Sequence, residues 1–174
     1  MANMNDAFRR AMTLAAVTGL KAALGPALVA SARRRPERQN LAMAALAEMV
    51  LDKLPILPSR SSLPMIVPRA LAGAWVAQTM LGEDGKNDPW APLLGAATAA
   101  GVARFAPMVR ATLRRVFGVP DFVIGIAEDY LALRLGSEAA GLSMNDVKAI
   151  ATESVDEMAG HFRHEAHSVG AGSM

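Results

Sequence analysis

The chain has 174 residues, 52% apolar, 5% aromatic and 20% charged, with no cysteine and a formal net charge of +2 from 18 Lys and Arg against 16 Asp and Glu. One domain is expected at this length; the absence of cysteine excludes disulfides, thiol nucleophiles and thiolate metal sites, and near-balanced charge without a basic patch interleaved with aromatics excludes a nucleic-acid groove. The apolar residues are mostly Ala, Leu, Val and Met, and few are aromatic, so the chain reads as all-α rather than strand-rich.

Residues 1–10 are polar and end in Arg9 and Arg10, after which 11–32 is apolar apart from Lys21 and a few small polar residues. The basic flank, the apolar run and Ala30-Ser31-Ala32 imitate a secretory signal, but Lys21 stands in the middle of the run and argues for a retained helix. The run matches the ~20 residues needed to cross a hydrocarbon core of ~30 Å, and Gly25-Pro26 predicts a kink in it. A basic loop follows, Arg33, Arg34, Arg35 and Arg38, with Pro36 as breaker. The second segment, 40–54, carries Glu48, Asp52 and Lys53 and is short for a full span, so it is expected to tilt, insert halfway or pack inside the bundle.

Residues 55–64 form a turn-rich connector that includes Pro55, Pro58, Ser59 and Arg60. The third segment, 65–81, has Arg69 near its start, and Gly73 with Ala77 makes a pair of small residues that permits close helix approach. In the loop 82–89, Asp84, Lys86 and Asp88 are spaced as in a calcium loop, but Lys86 puts a positive charge at a ligand position and calcium is not expected. The fourth segment, 90–113, presents Gly95, Ala99 and Gly101 as a small-residue face, Arg104 in mid-helix, Pro107 as a kink and Arg110 at its close, with Arg114 and Arg115 following. The fifth, 122–135, follows Pro120-Asp121 and carries Glu128 and Asp129 at its centre.

After Gly136 the character changes. Ser143 caps an amphipathic helix over 144–163 with Val147, Ile150, Val155 and Met158 on one side. The expected division is a membrane helical domain over 1–137 and a solvent-facing helix and tail over 138–174, ending in a disordered GAGSM. His161, His164 and His167 recur every third residue there and are weak metal candidates; the bland reading is a polar tail, and no metal or other cofactor is expected. Walker, G-x-G-x-x-G, H-E-x-x-H and G-x-S-x-G motifs do not occur, so an enzyme is not expected.

Two parts of the chain echo each other. Gly19, Pro26 and Leu46-Ala47-Glu48 are answered at nearly the same interval by Gly101, Pro107 and Ile126-Ala127-Glu128. Repeats 11–54 and 90–135 about the single helix 65–81 predict an inverted repeat that gathers Glu48, Asp52, Glu128 and Asp129 at the membrane midplane. The same segments hold Lys21, Lys53, Arg69 and Arg104. An unpaired charge there costs ~2.5–3.5 kcal/mol on the insertion scale, so the eight are expected to face one another or water. Glu48 and Asp52 lie one turn apart on one face and require a cation between them, for which Lys21 and Arg104 are the candidates. Either the carboxylates titrate as a proton or cation relay, or the set is static ion-pair glue between helices.

The segment Glu48-x-x-x-Asp52-Lys53-x-Pro55-x-x-Pro58-Ser59-Arg60, then Arg69-Ala70-x-x-Gly73 and Pro120-Asp121 with Glu128-Asp129, resembles the bacterial integral membrane family called domain of unknown function 4126. Gly19-Leu20-Lys21 with Pro26 is similar to that family's N-terminal motif, with Lys21 where arginine is expected; the charge is kept and the bidentate fork is lost. The resemblance covers about residues 11–137 and implies a helical bundle in a bacterial inner (cytoplasmic) membrane, with no established activity or cofactor. The expectation is therefore a small polytopic membrane bundle of five apolar helical elements, partnered by the lipid bilayer and by a second copy of itself, that moves or senses a proton or small ion. A non-transporting membrane scaffold whose C-terminal helix docks a partner is the alternative, and a soluble bundle is the third reading. Basic loops fall on both sides of the spans and leave the orientation open.

Overall fold

Runs of Ala, Leu and Met between glycine and proline breakers form helices throughout the described part of the chain. The computed structural model describes residues 4–51, 63–83, 85 and 88–171, with residues 63, 83, 158 and 161–171 as backbone alone. These contain seven helices and no strand: α1 (Met4–Leu20), α2 (Leu24–Ala32), α3 (Arg38–Leu51), α4 (Leu63–Glu83), α5 (Ala91–Phe117), α6 (Asp121–Ala140) and α7 (Met144–Ala171). The all-helical expectation holds.

The core is built around α1. Ala7, Ala11, Leu14 and Thr18 recur at helical spacing on one buried stripe, and α1 lies against α4, α5 and α6. The most extensive helix pair is α4 with α5, and its contact is made by the small residues picked out above. A Cβ placed on Gly73 would lie 2.5 Å from the Ala99 Cβ and 2.6 Å from the Gly95 carbonyl oxygen, and one on Gly95 would lie 2.5 Å from the Ala77 Cβ. Backbones this close admit nothing larger than glycine, which is how Gly-x-x-x-Ala in each helix fixes the crossing. Gly101 is different: a Cβ placed there would meet nothing within 4 Å, so it is not part of that close contact.

Among the described residues only α5 is long and apolar enough to cross a membrane, with a mean hydropathy of 1.2 in its most apolar stretch. The finer expectation of five such spans does not appear in these helices. The first is split into 17- and 9-residue pieces and α3 has 14 residues, while α6 carries Asp121, Glu128, Asp129, Arg134 and Glu138. Only 17% of that stretch of α5 is buried. Leu93, Phe105, Met108, Val109 and Val116 on α5 are exposed, as are Leu71 on α4 and Phe122, Ile126 and Tyr130 on α6.

At the other end of the chain Ser143 caps α7 reciprocally with Asp146. The Asp146 N–H donates to Ser143 Oγ at 3.2 Å, and Asp146 Oδ2 accepts from the Ser143 N–H and hydroxyl at 2.8 and 2.7 Å. The helix then packs back on the bundle instead of standing free in solvent: Val147 joins the core, and Glu153 meets Arg38 at 3.5 Å and Gln39 at 3.2 Å on α3. The inward stripe passes through buried Ser154, leaving Val155 exposed, a rotation of one residue from the stripe read in sequence. The expected division after residue 137 falls inside α6, and α7 continues into the terminal glycine-rich stretch as far as Ala171.

Candidate functional site

Proline sets where the first long apolar run breaks. Pro26 has no N–H, and its ring collides with the carbonyl four residues back, so a helix accommodates it without cost only in the first turn. The chain obeys this by ending α1 at Leu20, turning through residues 21–23 and restarting at Leu24, which places Pro26 in the first turn of α2. The expected kink at Gly25-Pro26 is thus a full break, displaced toward Lys21. The Lys21 N–H still reaches the Val17 carbonyl at 2.9 Å, and the Leu24 N–H reaches the Lys21 carbonyl at 3.1 Å.

The amides of Ala22 and Ala23 are satisfied from outside. Glu48 of α3 accepts the Ala22 N–H at Oε1 and the Ala23 N–H at Oε2, each at 2.9 Å. The N-cap residue of α2 is Ala23, which has no side chain for the task, so a carboxylate 25 residues away along the chain does the capping. A negative charge at a helix N-terminus is stabilising by ~0.3–2 kcal/mol.

Glu48 has a third donor. Arg69 of α4 donates from Nη2 to Glu48 Oε1 at 2.8 Å and from Nη1 to the Met65 carbonyl at 2.8 Å. Beside this pair, Lys21 Nζ lies 2.8 Å from Asp129 Oδ1 of α6. Among the described residues, α3, α4 and α6 each send a charged side chain to the α1/α2 break. The cations are the deeper members, with side chains 0% exposed at Lys21 and 2% at Arg69, against 15% at Asp129 and 18% at Glu48. In surroundings of low dielectric each pair is held because separating it strands a buried charge.

The arrangement joins Lys21, Glu48, Arg69 and Asp129. Arg69 is a counter-ion of Glu48 and Lys21 pairs with Asp129, while Asp52, the other carboxylate expected to share a cation with Glu48, lies outside the described residues. Arg104 is exposed on α5, because that helix turns Gly95, Ala99 and Ala103 inward and the next position points away. Glu128 points elsewhere too. Adjacent helical residues lie about 100° apart, and Glu128 sits 3.6 Å from Arg110 Nη1, in a second cluster where Arg110 grips Asp121 at 3.0 and 3.2 Å and Arg114 lies 3.8 Å away. The echo between the two halves is accordingly not repeated in geometry: α5 continues through Pro107, and Glu128 meets an arginine where Glu48 also caps a helix.

Asp52, Lys53, Pro55, Pro58, Ser59 and Arg60 lie outside the described residues, as do the side chains of His161, His164 and His167. Among the described residues no three His, Asp or Glu gather as metal ligands. Sequence reading missed two features. The amides of Ala22 and Ala23 leave no trace in side-chain chemistry, although a proline two residues into an apolar run's second half is a helix-start signal that points to them. The Arg110–Asp121 clasp was legible only as a basic helix end followed by Pro120-Asp121. The basic loop also has a structural partner, Arg35 stacking over Trp75 at 5.5 Å. No family model matches the chain, and no curated protein or solved structure matches it.

Proposed function

We propose that this chain is an integral membrane protein of the kind it resembles in sequence, and that the break between α1 and α2 is the centre of a proton- or small-ion-linked transport step. In this reading α1 with α2, then α3, α4, α5 and α6 are the five membrane-embedded elements, and α7 lies at the surface. The observation that carries it is Glu48, a carboxylate from one helix capping the interrupted backbone of another while paired to a buried arginine. Discontinuous helices whose restarting N-termini meet charged groups are the means by which membrane transporters build ion sites, and paired ionisable residues inside a bundle belong to substrate or proton pathways more often than to lipid contact. The apolar, outward-facing surface of α5 with its neighbours on α4 and α6 supports the membrane assignment, since a helix this apolar in a soluble protein is normally buried.

The test is flux. Purified protein reconstituted in vesicles is expected to dissipate an imposed pH gradient, and Glu48→Gln and Asp129→Asn are expected to slow this at least tenfold while the protein stays folded and inserted; unchanged flux in both variants overturns the reading. A static scaffold is the second reading, favoured by the same completeness of the Glu48 hydrogen bonds. It predicts vesicles without flux and a loss of thermal stability in the same two variants.

A further inference from the structure

The amides at the break and the Arg69 side chain form a cradle with the shape of a carboxylate. Ala22 and Ala23 donate to different oxygens of Glu48, and Arg69 Nη2 donates to one of them. The helix they introduce, α2, has nine residues and no charged side chain of its own, so its N-terminal end presents positive potential without local competition.

A second observation is independent of the helix end. Arg69 is 2% exposed, and its Nε has no hydrogen-bond partner among the described residues. Nε–H and the neighbouring Nη2–H of a guanidinium point the same way and form the fork that grips both oxygens of a carboxylate. Glu48 matches only half of that fork, because its second oxygen is drawn to the Ala23 amide while its stem is tied to α3. A free carboxylate carries no such tether and can set its oxygens against Nε and Nη2 together while still accepting from the α2 amides.

We infer that the cradle of Ala22, Ala23 and Arg69 is a binding site for a small free carboxylate anion, of the formate or acetate class, and that Glu48 occupies it in this conformation as a tethered stand-in. The inference deepens the transport reading by naming the transported class; the transport rests on that reading, and the binding does not. Charge balance at Arg69 is kept, because the entering anion takes the place of the Glu48 carboxylate as its negative partner. Among the described residues the other charged groups named here stay paired: Lys21 faces Asp129 of α6, and Glu153 of α7 is engaged by Arg38 and Gln39 at the opposite end of α3.

Formate is the probe. Glu48→Ala removes the tethered carboxylate and leaves the cradle, whereas Glu48→Ala with Arg69→Met removes both partners and leaves an apolar replacement, a change that buried pairs tolerate better than the loss of one member. In detergent-purified Glu48→Ala, added sodium formate is expected to raise Tm, by about 7 °C at a hundredfold excess over the dissociation constant, while the double variant at equal salt does not follow. No response in Glu48→Ala, or an equal response in both variants, overturns the site. If Glu48→Ala is recovered only unfolded, the readout becomes recovery with formate present throughout extraction: folded protein supports the site and unfolded protein overturns it. Rescue by formate without vesicle flux keeps the site and removes transport, whereas flux without rescue keeps transport and removes the carboxylate.

Discussion

A buried charge persists when its partners are geometrically fixed, and at the α1/α2 break the fixing is done by backbone as much as by side chain. Glu48 is held by two amides and a guanidinium, so its position is set by three elements at once. The Ser143–Asp146 box at the start of α7 is the exposed counterpart. Hydrogen bonds from the Ser143 hydroxyl, then from its backbone N–H, hold the Asp146 carboxyl below its ordinary value of 3.8. Because the folded value lies below the unfolded one, the stabilisation of α7 by ionised Asp146 is complete above 3.8 and is lost as pH falls through the lowered folded value. NMR titration of Asp146 is expected to give a midpoint below 3.8 that Ser143→Ala moves back up; an unchanged midpoint in that variant would show that the hydroxyl is not the cause. Ser143 was read as the cap from sequence, and its partner Asp146 stands three residues on, since a capping box is local in sequence. The capping of α2 by Glu48 was not, because its two parts are separated by a whole helix.

Among the elements, the α4–α5 pair is the one whose sequence most directly dictates its packing. Gly73 and Ala77 face Gly95 and Ala99, and a side chain at Gly73 would run into backbone and not merely a movable side chain. Gly73→Val is therefore expected to cost about 3 kcal/mol or more, at the upper end of overpacking effects, and thermal unfolding in detergent measures it; a loss below about 1 kcal/mol would show that the two helices can separate without penalty. Small residues at four-residue spacing announce such a contact in any helix, but they do not name the partner. Gly101 has the same appearance in sequence, yet a Cβ there would meet nothing within 4 Å, because which turn of a helix faces its neighbour depends on the crossing point and not on residue type. Element ends were read closely where a breaker stands at them, as at Pro120 before α6 and Ser143 before α7. They were misread at Lys21-Ala22-Ala23, three good helix formers, where the interruption is imposed by Pro26 and stabilised by Glu48.

For the whole molecule, the membrane proposal is tested by where the protein fractionates. Leu71 on α4, Phe105 and Val116 on α5, and Phe122 and Ile126 on α6 are exposed, and large apolar side chains left open in this number are the surface that a lipid or protein partner covers. The untagged protein is expected to sediment with membranes and to be released by detergent but not by high salt or alkaline carbonate; recovery in the high-speed supernatant without detergent would return it to the soluble class. Composition and periodicity by themselves determined that the chain is helical, roughly where its helices run, that Gly73, Ala77, Gly95 and Ala99 allow close approach, and that the charges set in apolar segments, Lys21, Glu48, Arg69 and Asp129 among them, require partners. These are properties of short windows, set by propensity, breakers and burial cost. Only the tertiary structure decided which partner each charge takes, that Arg104 and Glu128 turn away from the break, and that Glu48 closes an interrupted backbone. Those outcomes depend on the rotation of each helix about its own axis, which is settled by the packing of all its neighbours together.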